Sequence, residues 1–174
     1  MRSIFFKEIR FYFNSLTGYL IICAYFILNA LVLWFLETSN NVFITQIGVL
    51  DSFFIGSAWF FMFIIPALCM GSFSEEMKSG TIEILLTKPV RIFELVLAKW
   101  MAAMVLILFV LIPTILNGYV IANLLPEGNS LDLGRFISGY IGLFFLALVY
   151  SSITLSFSSV FKNQITVFIC SLIC

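Results

Sequence analysis

The sequence predicts an all-α fold: a polytopic transmembrane helical bundle, with an interfacial helix at its N-terminus and a short polar helix between its second and third spans. Three observations lead there. The chain is 62% hydrophobic and 10% charged, whereas a soluble domain runs near about 45–50% apolar and about 25% charged. Uncharged runs of about 20 residues recur, the length that crosses about 30 Å of hydrocarbon. Polar side chains gather instead in one interval, residues 73–100, which carries Glu75, Glu76, Lys78, Glu83, Lys88, Arg91, Glu94 and Lys99. The 174 residues read as one transmembrane domain, with spans expected at about 16–36, 52–71, 100–125, 136–160 and 165–174 and the polar element at 73–99.

Residues 2–14 come first. Ser3, Lys7, Arg10 and Asn14 recur at helical spacing on one face, and Phe5, Ile9, Tyr12 and Phe13 lie on the other. That pattern suits a helix in the membrane interface, with Lys7 and Arg10 toward the headgroups. The competing reading is a plain polar turn leading into the first span. Residues 16–36 form that span, too long for the apolar core of a cleaved signal, so it is expected to stay as an anchor. Its polar residue Asn29 is expected to bond a neighbouring helix.

Residues 37–51 connect without any Lys or Arg, and their VFITQIGVL interior is apolar enough to rest on a bilayer surface. The second span, 52–71, contains Pro66, which removes a backbone bond and should kink it. The third, 100–125, carries Pro113 and Asn117. PEGNSLDLGR, residues 126–135, is a turn-rich loop. The fourth span, 136–160, ends in YSSITLSFSS, whose small hydroxyl residues allow close helix approach. After FKNQ, a fifth apolar run covers about ten residues, 165–174. Ten residues do not span, so the chain is expected to be a C-terminally truncated fragment.

Within the polar interval, Glu76, Gly80, Glu83 and Thr87 fall on one helical stripe, with Ile82, Leu85 and Leu86 opposite. The spacing predicts a short amphipathic helix over 79–87, ended by Pro89. A second helix starts near Val90 and runs through Glu94 and Lys99 into the third span. The alternative is a solvated loop with ordinary interfacial charges. Against that stands the apolar cluster Ile84, Leu85 and Leu86 in a charged setting, since exposed apolar groups mark a partner or a membrane.

Basic residues fix the orientation. Arg2, Lys7, Arg10, Lys78, Lys88, Arg91, Lys99 and Lys162 fall on one side of the predicted membrane and Arg135 on the other. The positive-inside rule puts the N-terminus and the polar interval in the cytoplasm.

SGTIEILLTKPV at 79–90, then FELVLAKW at 93–100, resembles the segment between spans two and three of exporter-class (type-2) ABC transporter permeases. FKNQITVFI at 161–169 is similar to a second pattern of that group, and the likeness is greatest to the gliding-motility permeases within it. The resemblance implies a bacterial cytoplasmic (inner) membrane protein. Its segment between spans two and three would be a coupling helix that docks on a separate ABC ATPase subunit. By motif match, Glu76, Lys78, Ser79, Gly80, Thr81, Glu83, Leu85, Leu86 and Pro89 would form or shape that contact, with the N-terminal helix as a second surface. A second permease copy, or a homologous permease, would complete the transporter.

Several chemistries are excluded. There is no GxxxxGKS or GxxxxGKT phosphate loop, no GxSxG, no HExxH, no CxxC and no histidine. The four cysteines lie in apolar runs and read as buried small residues, so neither a metal nor a cofactor is expected. Net charge is zero, which leaves no electrostatic footprint for nucleic acid. No carboxylate falls inside a predicted span, which argues against proton coupling. Energy must then come from an ATPase partner. The alternative is a membrane scaffold or assembly protein without transport activity.

Overall fold

The computed structural model describes residues 2–35, 51–81, 91–124 and 133–174, and all regular structure among these is helical. Among the described residues, three helical stretches are long and apolar enough to cross a membrane: Phe53–Lys78, Ile92–Val120 and Leu133–Val160. A fourth crossing is reached if the first two helices, bent by 64°, count as one span.

Helix α1 (Arg2–Asn14) carries the amphipathic pattern into space. Lys7 and Arg10 are exposed, while Phe5, Ile9, Tyr12 and Phe13 turn toward the bundle. Ser15 is extended, with φ −83° and ψ 127°, and helix α2 (Leu16–Ala30) begins after it. The bend needs Gly18: a Cβ at that position would stand 2.5 Å from the Tyr12 carbonyl oxygen, a contact no side chain tolerates.

One π-helical turn, Leu31–Phe35, extends α2. Asn29 donates to the Tyr25 carbonyl at 3.0 Å and accepts from Ser57 of the next helix at 2.9 Å. The residue singled out for an interhelical bond makes one, and its amide is satisfied away from water.

Helix α3 (Asp51–Cys69) contains Pro66, and after an interruption at Met70 helix α4 (Gly71–Lys78) continues in much the same direction. Of the expected helix over 79–87, only residues 79–81 are described, and among these Thr81 alone is helical. Ser79 ends α4 instead, its hydroxyl donating to the Glu75 and Glu76 carbonyls at 2.8 and 3.3 Å. Gly80 follows in the left-handed region, at φ +71°, as residues just past a helix end commonly do. No helix can start at such a point, so one begins no earlier than Thr81. The remainder of that expected helix, with Glu83, Leu85, Leu86 and Pro89, lies outside the described residues.

Helix α5 (Ile92–Leu124) starts near the expected position and runs unbroken into the third crossing. Its core stripe is Leu95, Ala98, Lys99, Ala102, Ala103, Leu106, Ile107 and Val110, spaced at three and four. The alanines let α1 lie close against it, with Phe13 set edge-on to Phe109 at 5.3 Å. Helix α6 (Leu133–Val160) buries Leu143, Ala147, Ser151, Thr154 and Ser158. Helix α7 (Gln164–Ile173) is capped by Asn163, whose side chain accepts from the Ile165 amide at 3.1 Å. Large apolar groups such as Trp59, Phe63, Ile112, Leu116 and Phe145 point outward, as lipid-facing positions require. The expected burial of the cysteines holds for Cys69. Cys23 is exposed on an apolar helix, because an outward face in a membrane bundle is itself apolar, and Cys174 is exposed just past the end of α7.

Candidate functional site

The end of the bundle that bears α1 also gathers α4, the start of α5, the end of α6 and the start of α7. Lys99 lies at its centre. One turn into the buried stripe of α5, its side chain is 1% exposed. It pairs with Glu8 of α1 at 2.9 Å and Glu76 of α4 at 3.0 Å, donates to the Ser72 carbonyl at 2.6 Å, and stands 4.9 Å above the centre of the Phe73 ring. The second oxygen of Glu76 accepts from Lys7 at 2.9 Å. The side chains of Glu8 and Glu76 are 5% and 12% exposed, and that of Lys7 56%. Two carboxylates and two ammonium groups therefore alternate across three helices and sum to zero.

Such a network is not chiefly a source of stability. Desolvating its ions costs several kcal/mol each, by order of magnitude (~), and good pairing returns about that much. Its consequence is geometric: the Lys7–Glu76 and Lys99–Glu8 contacts are directional charge-assisted hydrogen bonds, and the Lys99–Glu76 ion pair joins them, so α1, α4 and α5 are held in one register.

Two further bonds widen the fastening. Gln164 at the head of α7 donates to Glu75 at 2.7 Å, and the Trp100 indole donates to Ser152 of α6 at 3.1 Å. Beside the network a groove of about 700 Å³ opens, lined by Lys7, Glu8, Phe11, Glu75, Glu76 and Gln164 and reaching Ser79 and Thr81. Beneath it Tyr12 is buried, and burial holds its phenol well above the ordinary tyrosine range, reinforced by Cys69, Glu8 and Glu75 and opposed by Ser72.

The residues named from sequence divide into groups. Lys78, Ser79, Gly80 and Thr81 are exposed together at the tip of α4. Glu76 is drawn inward, and both of its oxygens face lysines. Lys7 sits between solvent and Glu76, while Arg10 is exposed farther along α1. Glu83, Leu85, Leu86 and Pro89 lie outside the described residues. Sequence reasoning passed over Glu8, Ser158 and Gln164. Glu8 had a signal: it sits four residues from both Ile4 and Tyr12, on the face that α1 turns inward. Glu8 and Glu76 lie outside the predicted spans but are sheltered all the same, because Lys99 neutralises them.

A family model described as "ABC-2 family transporter protein" matches residues 8–173. The chain belongs to the ABC-2 transporter family. It is accordingly a multi-pass membrane protein, the permease component of an ABC transporter, and the ATPase of such a system is a separate partner. The match begins at Glu8 and takes in Glu76, Lys99, Ser158 and Gln164, so the fastened end of this ABC-2 permease lies within the family region. No curated protein and no solved structure matches the chain.

Proposed function

We propose that this ABC-2 permease is driven by an ATPase subunit that docks on the tip of α4 and the segment after it, coupling ATP hydrolysis to substrate movement across the membrane. The contact would be formed by Lys78, Ser79, Gly80, Thr81, Glu83, Leu85, Leu86 and Pro89 and shaped from behind by Glu76, with Lys7 and Arg10 of α1 beside it. The observation that carries this reading is the buried Glu8–Lys99–Glu76–Lys7 network. Force applied past Thr81 enters α4, and the ionic fastening delivers it to α1 and α5 together. Glu76 thus acts as a support behind the contact.

The basic-residue pattern supports a cytoplasmic N-terminus, and the motif likeness supports a bacterial inner membrane. A second permease copy, or a homologous permease, supplies the other half of the transporter. The motif likeness to gliding-motility permeases supports a setting in surface movement.

Co-purification tests the reading. With Leu85 and Leu86 both changed to Asp, the ATPase should no longer accompany the permease, while the permease itself stays folded. Retention of the ATPase at parental yield refutes the docking assignment. A partner without ATPase activity would point to a scaffold instead.

A further inference from the structure

A hydroxyl from α6 is spliced into the backbone of the second crossing. In a regular α-helix the Ser74 amide bonds the Met70 carbonyl directly. In this chain Ser158 of α6 stands between them. Its oxygen accepts from the Ser74 amide at 3.2 Å and the Phe73 amide at 3.0 Å, and its hydrogen goes to the Met70 carbonyl at 3.0 Å. The Ser74 hydroxyl donates to that same carbonyl at 2.6 Å. Ser158 is fully buried, so water has no part in the exchange.

A group inserted in the hydrogen-bond ladder is one of the few causes of a helix bend. A second lies one turn upstream, where Pro66 brings no amide and leaves its own rung empty. The backbone between α3 and α4 is thus weakened twice within nine residues (66–74). Beyond that point α4 is secured from its sides: by Ser158 of α6, Lys99 of α5, Lys7 of α1 and Gln164 of α7.

We propose that α4 is a lever about 12 Å long, hinged at Met70, and that Ser158 is its pivot, a positioning residue through which movement of α4 reaches α6. The source of the force rests on the docking reading above. The hinge does not, and it can be tested without a partner.

The test is hydrogen exchange on the full chain in lipid nanodiscs, comparing the parent with Ser158→Ala and Ser158→Cys. In Ser158→Ala, which loses all three of these bonds, exchange should rise at least about tenfold across residues 71–81 as one unit. Residues 53–69 should stay within about twofold of the parent on the same basis. Ser158→Cys, which keeps a weak donor and acceptor in a similar volume, should give a smaller rise over the same segment and serves as the reading if the alanine variant fails to fold. A rise confined to residues 73 and 74, or one that spreads through 53–69, overturns the hinge. In the complex with its ATPase, ATP should alter exchange in both 71–81 and 150–160 of the parent. In Ser158→Ala the first response should persist and the second fall by at least about half. An undiminished response at 150–160 overturns the pivot. Loss of ATPase binding in the parent, with the exchange pattern intact, would sink the docking reading and leave the hinge standing.

Discussion

Replacing Lys99 by methionine keeps an unbranched chain of similar length and removes one charge. Lys99 is the sole cation within salt-bridge range of Glu8 among the described residues, whereas Glu76 retains Lys7. Glu8 would be left buried and unpaired, and the Ser72 carbonyl would lose its 2.6 Å donor. Breaking a buried pair in this way costs about 3–5 kcal/mol. A second route to the number agrees. An ordinary glutamate carboxyl escapes the problem by taking up a proton, which at pH 7 costs about 3.7 kcal/mol, and at pH 5 about 1 kcal/mol. The Lys99→Met loss should therefore be about 3–4 kcal/mol at pH 7 and shrink to about 1 kcal/mol at pH 5. Reversible unfolding of the purified permease in mixed micelles, titrated with a denaturing detergent and followed by circular dichroism, measures both. Lys99→Met combined with Glu8→Leu leaves the Lys7–Glu76 pair neutral and should return to within about 1 kcal/mol of the parent. A single-variant loss below about 1 kcal/mol at pH 7, or a double variant as unstable as the single, would show that the charges are not sequestered from solvent as the geometry requires.

Other outcomes follow from the same packing. Gly18→Ala places a methyl 2.5 Å from a backbone oxygen, so the bend between α1 and α2 must open. The change should cost about 1–3 kcal/mol in the same titration and increase labelling of a cysteine placed at Ile9, which rests on the bundle in the parent. Ser57→Ala removes the hydroxyl joining Asn29 and Tyr25 and should cost about 0.6–1.7 kcal/mol, the range measured for interhelical polar bonds in membranes. Tyr12 gives a pH dependence with a definite sign. Its folded-state pKa is raised above 10 by burial, so its stabilising contribution is complete below pH 10 and is lost as pH climbs through the higher folded value. Tyr12→Phe should flatten the fall in stability seen above pH 10; an unchanged slope would refute that assignment.

How much of this was legible in the chain depends on the range of the interaction. Composition and run length fix the membrane class, since hydrocarbon admits no backbone that fails to bond itself. The helical spacing of Phe5, Ile9, Tyr12 and Phe13 in α1 is local, and it marks the face that turns toward the bundle. Helix ends were harder. The polar stripe spacing runs on from Glu76 through Gly80, yet Ser79 and Gly80 close α4 between them, because a side-chain cap and a left-handed glycine outweigh a weak periodicity.

The sequence alone determined that this protein is a set of apolar helices and which charges lie at their ends. Only the tertiary structure decided which charges meet. Lys99 and Glu8 are 91 positions apart, and Ser158 reaches a carbonyl 88 positions away. Periodicity tells each helix which face to bury, but not the rotation, tilt and depth at which it meets another. Those are set by the packing of side chains such as Ala98 and Ala102 across the whole bundle, and they alone bring Glu8, Glu76 and Lys99 within bonding distance.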